Sequence, residues 1–118
     1  MAIHNELGQA GERAARSYLV SKGYVILTQN WRNGKHELDI IATNQGKLIF
    51  VEVKTRSVSV IETSNVMSKS KEKNLIAAVN NYLQLQDEDL ECQIDLIIME
   101  KKENGFNVIH LEHAIGQE

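Results

Sequence analysis

The stretch HELDIIATNQGKLIFVEVKTR, residues 36 to 56, sets Glu37, Asp39, Glu52 and Lys54 inside runs otherwise filled with Leu, Ile, Phe and Val. Side chains two apart in a strand point the same way. Phe50, Glu52 and Lys54 therefore share one face and Ile49, Val51 and Val53 the other, while on the preceding run Glu37, Asp39 and Ile41 alternate with Leu38, Ile40 and Ala42. Each strand is expected to have one apolar face and one that carries the charges. If the two pair through the turn at Asn44-Gln45-Gly46, Asp39 and Glu52 fall on the same face; whether they sit directly opposite depends on register, which the sequence leaves open.

Two carboxylates held close repel, so one protonates unless a cation neutralises them. Magnesium suits such a pair, because it accepts one or two protein carboxylates and keeps positions for water and phosphate oxygens, whereas calcium-buffer sites take more oxygen ligands from a dedicated loop. A neighbouring ammonium, Lys54, can orient a water or help deprotonate it, and can screen charge building on a phosphate while the metal acts as Lewis acid. Asp39, Glu52 and Lys54 thus form a coherent site for phosphodiester hydrolysis. The blander reading of Glu52 and Lys54 is a solvated strand face with a cross-strand ion pair, worth roughly 0.2–1 kcal/mol. Glu-x-Lys also recurs at Glu100-Lys101-Lys102, at a strand end entering the Asn104-Gly105 turn, where charges normally face solvent. That copy is set aside as a decoy; Asp39, upstream at a turn-linked spacing, decides for the first.

Other polar residues carry less. His4, His36, His110 and His113 form no ligand spacing, and Asp95, in an apolar run with no Glu-x-Lys strand after it, is read as a structural hydrogen-bond acceptor. Arg32, Lys35 and Arg56 cluster near strand ends, and Lys69, Lys71 and Lys73 open the second helix. Such lysines usually form a solvated face, yet these flank the site and could track a phosphate backbone. Trp31 and Tyr24 could stack on a base, but aromatics on a strand more often fill a core. Gly8 and Gly11 make no dinucleotide fingerprint, since they open no helix after a strand.

The elements that must position these groups are legible from periodicity. Asn5 can cap a helix over residues 6 to 22, whose apolar positions Leu7, Ala10, Ala14, Tyr18 and Leu19 recur every three to four residues and which Gly23 can end. YVILTQNW, ELDIIAT and KLIFVEVKT follow as three strands in a meander, separated by Asn33-Gly34 and Asn44-Gln45-Gly46. Residues 57 to 68 lack a period and read as a loop. SKSKEKNLIAAVNNYLQLQ is the second helix, with Leu75, Ala78, Val79, Tyr82 and Leu83 on one face, and CQIDLIIM and FNVIHLEHAI close the chain as a strand pair. The order αβββαββ predicts an α/β fold, a mixed sheet flanked by helices.

The chain has 118 residues, 42% apolar and 25% charged, with no proline, the profile of one soluble domain spanning 1–118. The single Cys92 can form no internal disulfide and is expected to pack as a small buried hydrophobe. No cationic leader and no long apolar span are seen, so a cytoplasmic location without a membrane partner is expected. The net charge of −3 hides an uneven distribution. Residues 30 to 86 carry eight basic and five acidic side chains, residues 87 to 118 two and nine. The acidic end, including DEDLE at 87 to 91, is read as solvated loop, so the overall charge does not describe the central region.

GERAARSYLVSKGYVILTQNWR, ELDIIA, LIFVEVKTR, KEKNLIAAVNNYL and QIDLII, in that order over nearly the whole chain, resemble the YraN family of bacterial proteins. That family is similar to the PD-(D/E)xK nuclease superfamily and distantly to archaeal Holliday junction resolvases. The resemblance implies a restriction-endonuclease-like fold and a nuclease that acts on DNA with magnesium, or with manganese in its place. By position, Asp39 looks like the metal-binding Asp, Glu52 the second carboxylate, Lys54 the motif lysine and the Val53 carbonyl a further metal ligand. Glu12, after Gly11 on the first helix, matches an additional glutamate of the resolvase-like branch and joins the catalytic and metal set; Glu37 matches the Glu two residues before the motif Asp. Two departures stand out: His36 where the family more often has Gly, and Gln93-Ile94-Asp95 where Arg-Phe-Asp is more usual. By analogy with resolvases the substrate is branched or junction DNA, and two symmetric cuts would need a homodimer. The rival readings are a nucleic-acid-binding module that keeps the fold without turnover, and a protein-interaction domain whose acidic tail engages a basic partner.

Overall fold

The computed structural model describes residues 2–57, 67–86 and 89–115, with side chains from residue 6 onward. The His4 side chain, most of the loop expected at 57–68, and Asp87 and Glu88 of the acidic run lie outside what is described. The elements are α1 (Ala2–Ser21), β1 (Val25–Asn33), β2 (His36–Asn44), β3 (Lys47–Ser57), α2 (Lys69–Gln86), β4 (Cys92–Lys102) and β5 (Gly105–Ile115). The fold is α/β, in the order αβββαββ, with one sheet ordered β1-β2-β3-β4-β5. Neighbours are antiparallel except β3 and β4, which run parallel because α2 carries the chain back across the sheet between them. Among the described residues no helix is long and apolar enough to cross a membrane.

α1 begins at Ala2, so Asn5 lies inside the helix rather than at its cap. Its end follows the sequence: Gly23, at φ 96°, donates to the Val20 carbonyl and Tyr24 to the Leu19 carbonyl, each at 3.0 Å. This is the paired closure that a left-handed glycine allows. Gly11 answers a different demand, since a Cβ there would come within 2.8 Å of Thr55 Cγ2 and closer still to its Oγ1. α1 thus packs directly on the Thr55 side chain of β3, and the residue after Gly11 is Glu12.

The sheet is covered on both sides. Ala15 and Leu19 of α1 pack with Ile40, Ala42, Ile49, Val51, Ile97 and Met99, while Leu75, Ala78, Val79 and Tyr82 of α2 pack with Ile41, Leu48, Phe50 and Ile94. Each fully buried Leu, Ile or Phe contributes about 1.5–3 kcal/mol. The expected division of β3 into an apolar and a charged face therefore holds only near its end: after Lys47 both faces are apolar from Leu48 through Val51, and charge returns at Glu52. Cys92 is a correction, because it is exposed at the start of β4 rather than buried. Trp31 and Tyr24 pack against the two cores, Trp31 edge-on to Tyr82 at 5.4 Å.

Candidate active site

The β2–β3 ladder runs from Asn44↔Lys47 to Ile40↔Val51 and stops there. One step further stand Asp39 and Glu52, in the register that would have set them opposite. The strands part instead, and the Val53 N–H donates to Asp39 Oδ2 at 2.9 Å in place of a backbone partner. The carbonyl of a strand residue projects to the same side as its N–H, so the Val53 oxygen also faces the gap. On the other flank, β1 pairs Gln29↔Ile40 and Trp31↔Leu38 but skips Asn30, which has φ 52°. A left-handed non-glycine residue inside a strand is uncommon, and here it lies across from Asp39. The pleat resets at this point: Leu38 and Ile41, three apart, share the α2-side core. Strict alternation of Leu38 with Ile40 and Ala42, expected from the sequence, fails for that reason.

The gap opens a cleft of about 520 Å³ lined by Glu12, Asp39, Glu52, Val53, Lys54, Met67, Ser68 and Lys71. Four elements or their flanks thus converge: α1 brings Glu12, β2 Asp39, β3 the Glu52–Lys54 run, and the start of α2 Lys71. Burial, then the charge of Asp39, pushes the Glu52 carboxyl up to about 7. Asp39 is also raised by burial, against the Val53 N–H and a hydrogen bond with Glu52. Burial and the Asp39 charge thus disfavour a second ionised carboxyl at Glu52, while the Lys71 ammonium opposes the rise in both groups. Glu12 is raised by its own burial and by Asp39. Lys54 is exposed and, among the described residues, makes no ion pair. Among those residues no three His, Cys, Asp or Glu side chains converge as a ready-made metal cage, so Glu12 shares the cleft without closing a third ligand position.

The remaining basic residues separate. Lys35 lines an adjoining cleft of about 210 Å³ with Glu37, Asp39, Glu52 and Lys71. Lys69 and Lys73 are exposed on α2 and line neither cleft. Arg32 stands 3.6 Å from Glu37 at the surface. Arg56 is turned away from the solvent, bonded to Glu100 at 2.7 Å with 9% of its side chain exposed. Glu100 was expected to face solvent at a strand end; β4 instead continues to Lys102, and parallel pairing puts Glu100 beside Arg56.

Sequence reasoning missed His110. Its Nε2 lies 2.8 Å from Asp95 Oδ2 and its Nδ1 2.9 Å from the Tyr18 hydroxyl, while Gln93 Nε2 and the His113 N–H donate to Asp95 Oδ1. Asp95 is fully buried; burial alone would raise its carboxyl, but these donors hold it below its usual range. Asp95 is thus the structural acceptor its apolar run predicts, and Gln93, one of the two family departures, is bonded to it. Nothing in the spacing of His110 points to Asp95, fifteen residues away and reached only across the β4–β5 pairing.

An α/β fold with a carboxylate-lined cleft where two strands part is the class that sheet and site define. Residues 11–99 match the uncharacterised protein family UPF0102, and the chain belongs to that family. It is 40% identical to a UPF0102 protein of Parabacteroides distasonis and 39% identical to one of Bacteroides thetaiotaomicron, each over 97% of this chain and 95% of the relative. A UPF0102 protein of Flavobacterium psychrophilum is 41% identical over 97% of both. Among solved structures, that of Pyrococcus furiosus SfsA in complex with Ca2+ aligns with 97% of this chain and 65% of its own, at a TM-score of 0.36 and 14% identity. A likeness of that size assigns nothing to this chain.

Proposed function

We propose that this protein is a magnesium-dependent endonuclease of the PD-(D/E)xK type that hydrolyses DNA phosphodiester bonds, with branched or junction DNA its preferred substrate. One observation carries the reading: Asp39 and Glu52, from separate strands, line one cleft with Lys54 at the point where those strands part. Two carboxyls turned into one cleft and held largely away from water make a place that favours a cation. The donor set is all oxygen, two carboxylates and a strand carbonyl, which fits magnesium or manganese and falls short of a calcium cage. Asp39, Glu52 and the Val53 carbonyl would hold the ion, which when bound supplies a Lewis acid at the phosphate and eases deprotonation of water. Lys54, exposed and without an ion pair, orients the attacking water and screens charge on the phosphate. The Val53 N–H keeps Asp39 aimed into the cleft, and Glu12 adds negative charge that draws the cation in.

The test is incubation of the native protein with labelled linear, flapped and four-way-junction DNA in magnesium, manganese or chelator. Metal-dependent cutting supports the reading, and the preferred substrate names its class. A folded protein that binds DNA in salt-dependent fashion but cuts nothing would instead be the binding module that keeps the fold.

A further inference from the structure

Among the described residues, the cation in contact with Glu52 is Lys71. Its Nζ lies 3.4 Å from Glu52 Oε2, with the Glu52 side chain 13% exposed and the Lys71 side chain 57%. α2 places it there, since Ser68 Oγ accepts the Lys71 backbone N–H at 3.1 Å and the Ser68 carbonyl accepts that of Glu72 at 3.0 Å, closing the first turn. The neighbouring lysines of the same run, Lys69 and Lys73, stay outside the cleft, so reading all three as one solvated face misses what sets Lys71 apart.

The contact is loose. Charge-assisted N–H···O bonds close to about 2.7–2.9 Å, as Arg56 and Glu100 do at 2.7 Å; Lys71 stops short at 3.4 Å. A lysine ammonium sits on a flexible four-carbon stem as a mobile point charge. A hard divalent cation seeks the same Glu52 oxygen and brings twice the charge. Both cannot occupy it.

We propose that Lys71 is a displaceable counter-cation of this site: it engages Glu52 while no divalent ion is bound and, once an ion takes the carboxylates, turns its ammonium to the phosphate in the same cleft. This inference rests on the metal-dependent reading above. It makes Lys71 a competitor of the metal and, afterwards, a partner of the nucleic acid.

Titration of Mn2+ by calorimetry into the native protein, Lys71→Met, Lys71→Gln and Lys71→Arg, without DNA, separates the outcomes. The two neutral variants bind Mn2+ about fivefold tighter than native protein, and Lys71→Arg stays close to native. Anisotropy of a labelled duplex provides the second readout: adding Ca2+ raises the DNA affinity of the native protein and fails to raise that of Lys71→Met. Neutral variants that bind Mn2+ no tighter than native protein overturn the role of Lys71 alone. No Mn2+ binding by any of the four proteins, each shown folded by thermal unfolding, overturns the metal reading and this inference with it.

Discussion

Glu52 and Asp95 are two buried carboxyls with opposite electrostatic fates. Glu52 is pushed from 4.5 up to about 7, so folded protein holds its proton more tightly than unfolded chain. Its contribution to stability is complete below pH 4.5, declines as pH rises, and above pH 7 has fallen by up to about 3 kcal/mol. In chelator, native protein should therefore melt at lower temperature at pH 8 than at pH 5.5, and Glu52→Gln should flatten that slope; parallel slopes in both proteins would remove the buried proton from the site. Asp95 is held below 3.8 by its donors, so the stability it provides is present above that value and lost as pH falls beneath its folded one. Asp95→Asn leaves His110 facing an amide and should lower stability by about 2–4 kcal/mol in urea unfolding at neutral pH. At this scale the sequence was informative for Asp39, Glu52 and Lys54, whose types, with the two-residue spacing of Glu52 and Lys54 and the turn that folds Asp39 back beside them, bring them to one cleft. Lys71 and the Arg56–Glu100 pair were not legible as such, because their partners come from elements whose docking and parallel register no local pattern encodes.

The elements themselves were largely written in periodicity. Leu75, Ala78, Val79 and Tyr82 repeat at helical spacing and all four are buried on α2. Glycine-bearing turns divided the first three strands where the structure divides them. What alternation could not foresee is the break at Asp39, because the left-handed Asn30 and the parting of β2 from β3 answer to three-dimensional pairing rather than to residue type. The closeness of α1 to β3 was likewise hidden, although Gly11 beside Glu12 is its trace. Gly11→Ala drives a methyl into Thr55, so α1 must lift from the sheet. A loss of about 1–3 kcal/mol is expected by thermal or urea unfolding. Thr55→Ala in the same chain removes the two nearest atoms and should restore part of that loss; a double variant no better than Gly11→Ala would place the strain elsewhere.

For the molecule as a whole, charge is divided by region. Arg32 and Arg56 face carboxylates and Lys71 rests on Glu52, which leaves Lys35, Lys54, Lys69 and Lys73 as the other cations around or beside the clefts. A chain of net charge −3 with so few free cations should bind DNA weakly and with strong salt dependence. Contact with about four phosphates gives a slope of about −4 in log K against log salt. Two symmetric cuts in a junction need two copies of one site, so light scattering with four-way-junction DNA should find a dimer; a monomer under those conditions removes the paired-cut reading and leaves single-strand cutting. The measurement that bears most directly on the proposed chemistry compares native protein, Asp39→Asn and Lys54→Ala, matched in purity and folding, on the best DNA substrate with magnesium or manganese. The proposed mechanism requires metal-dependent cleavage by native protein and a loss of at least about 100-fold in each variant. Cleavage that persists in both variants would contradict it, because the activity would then arise somewhere other than this cleft.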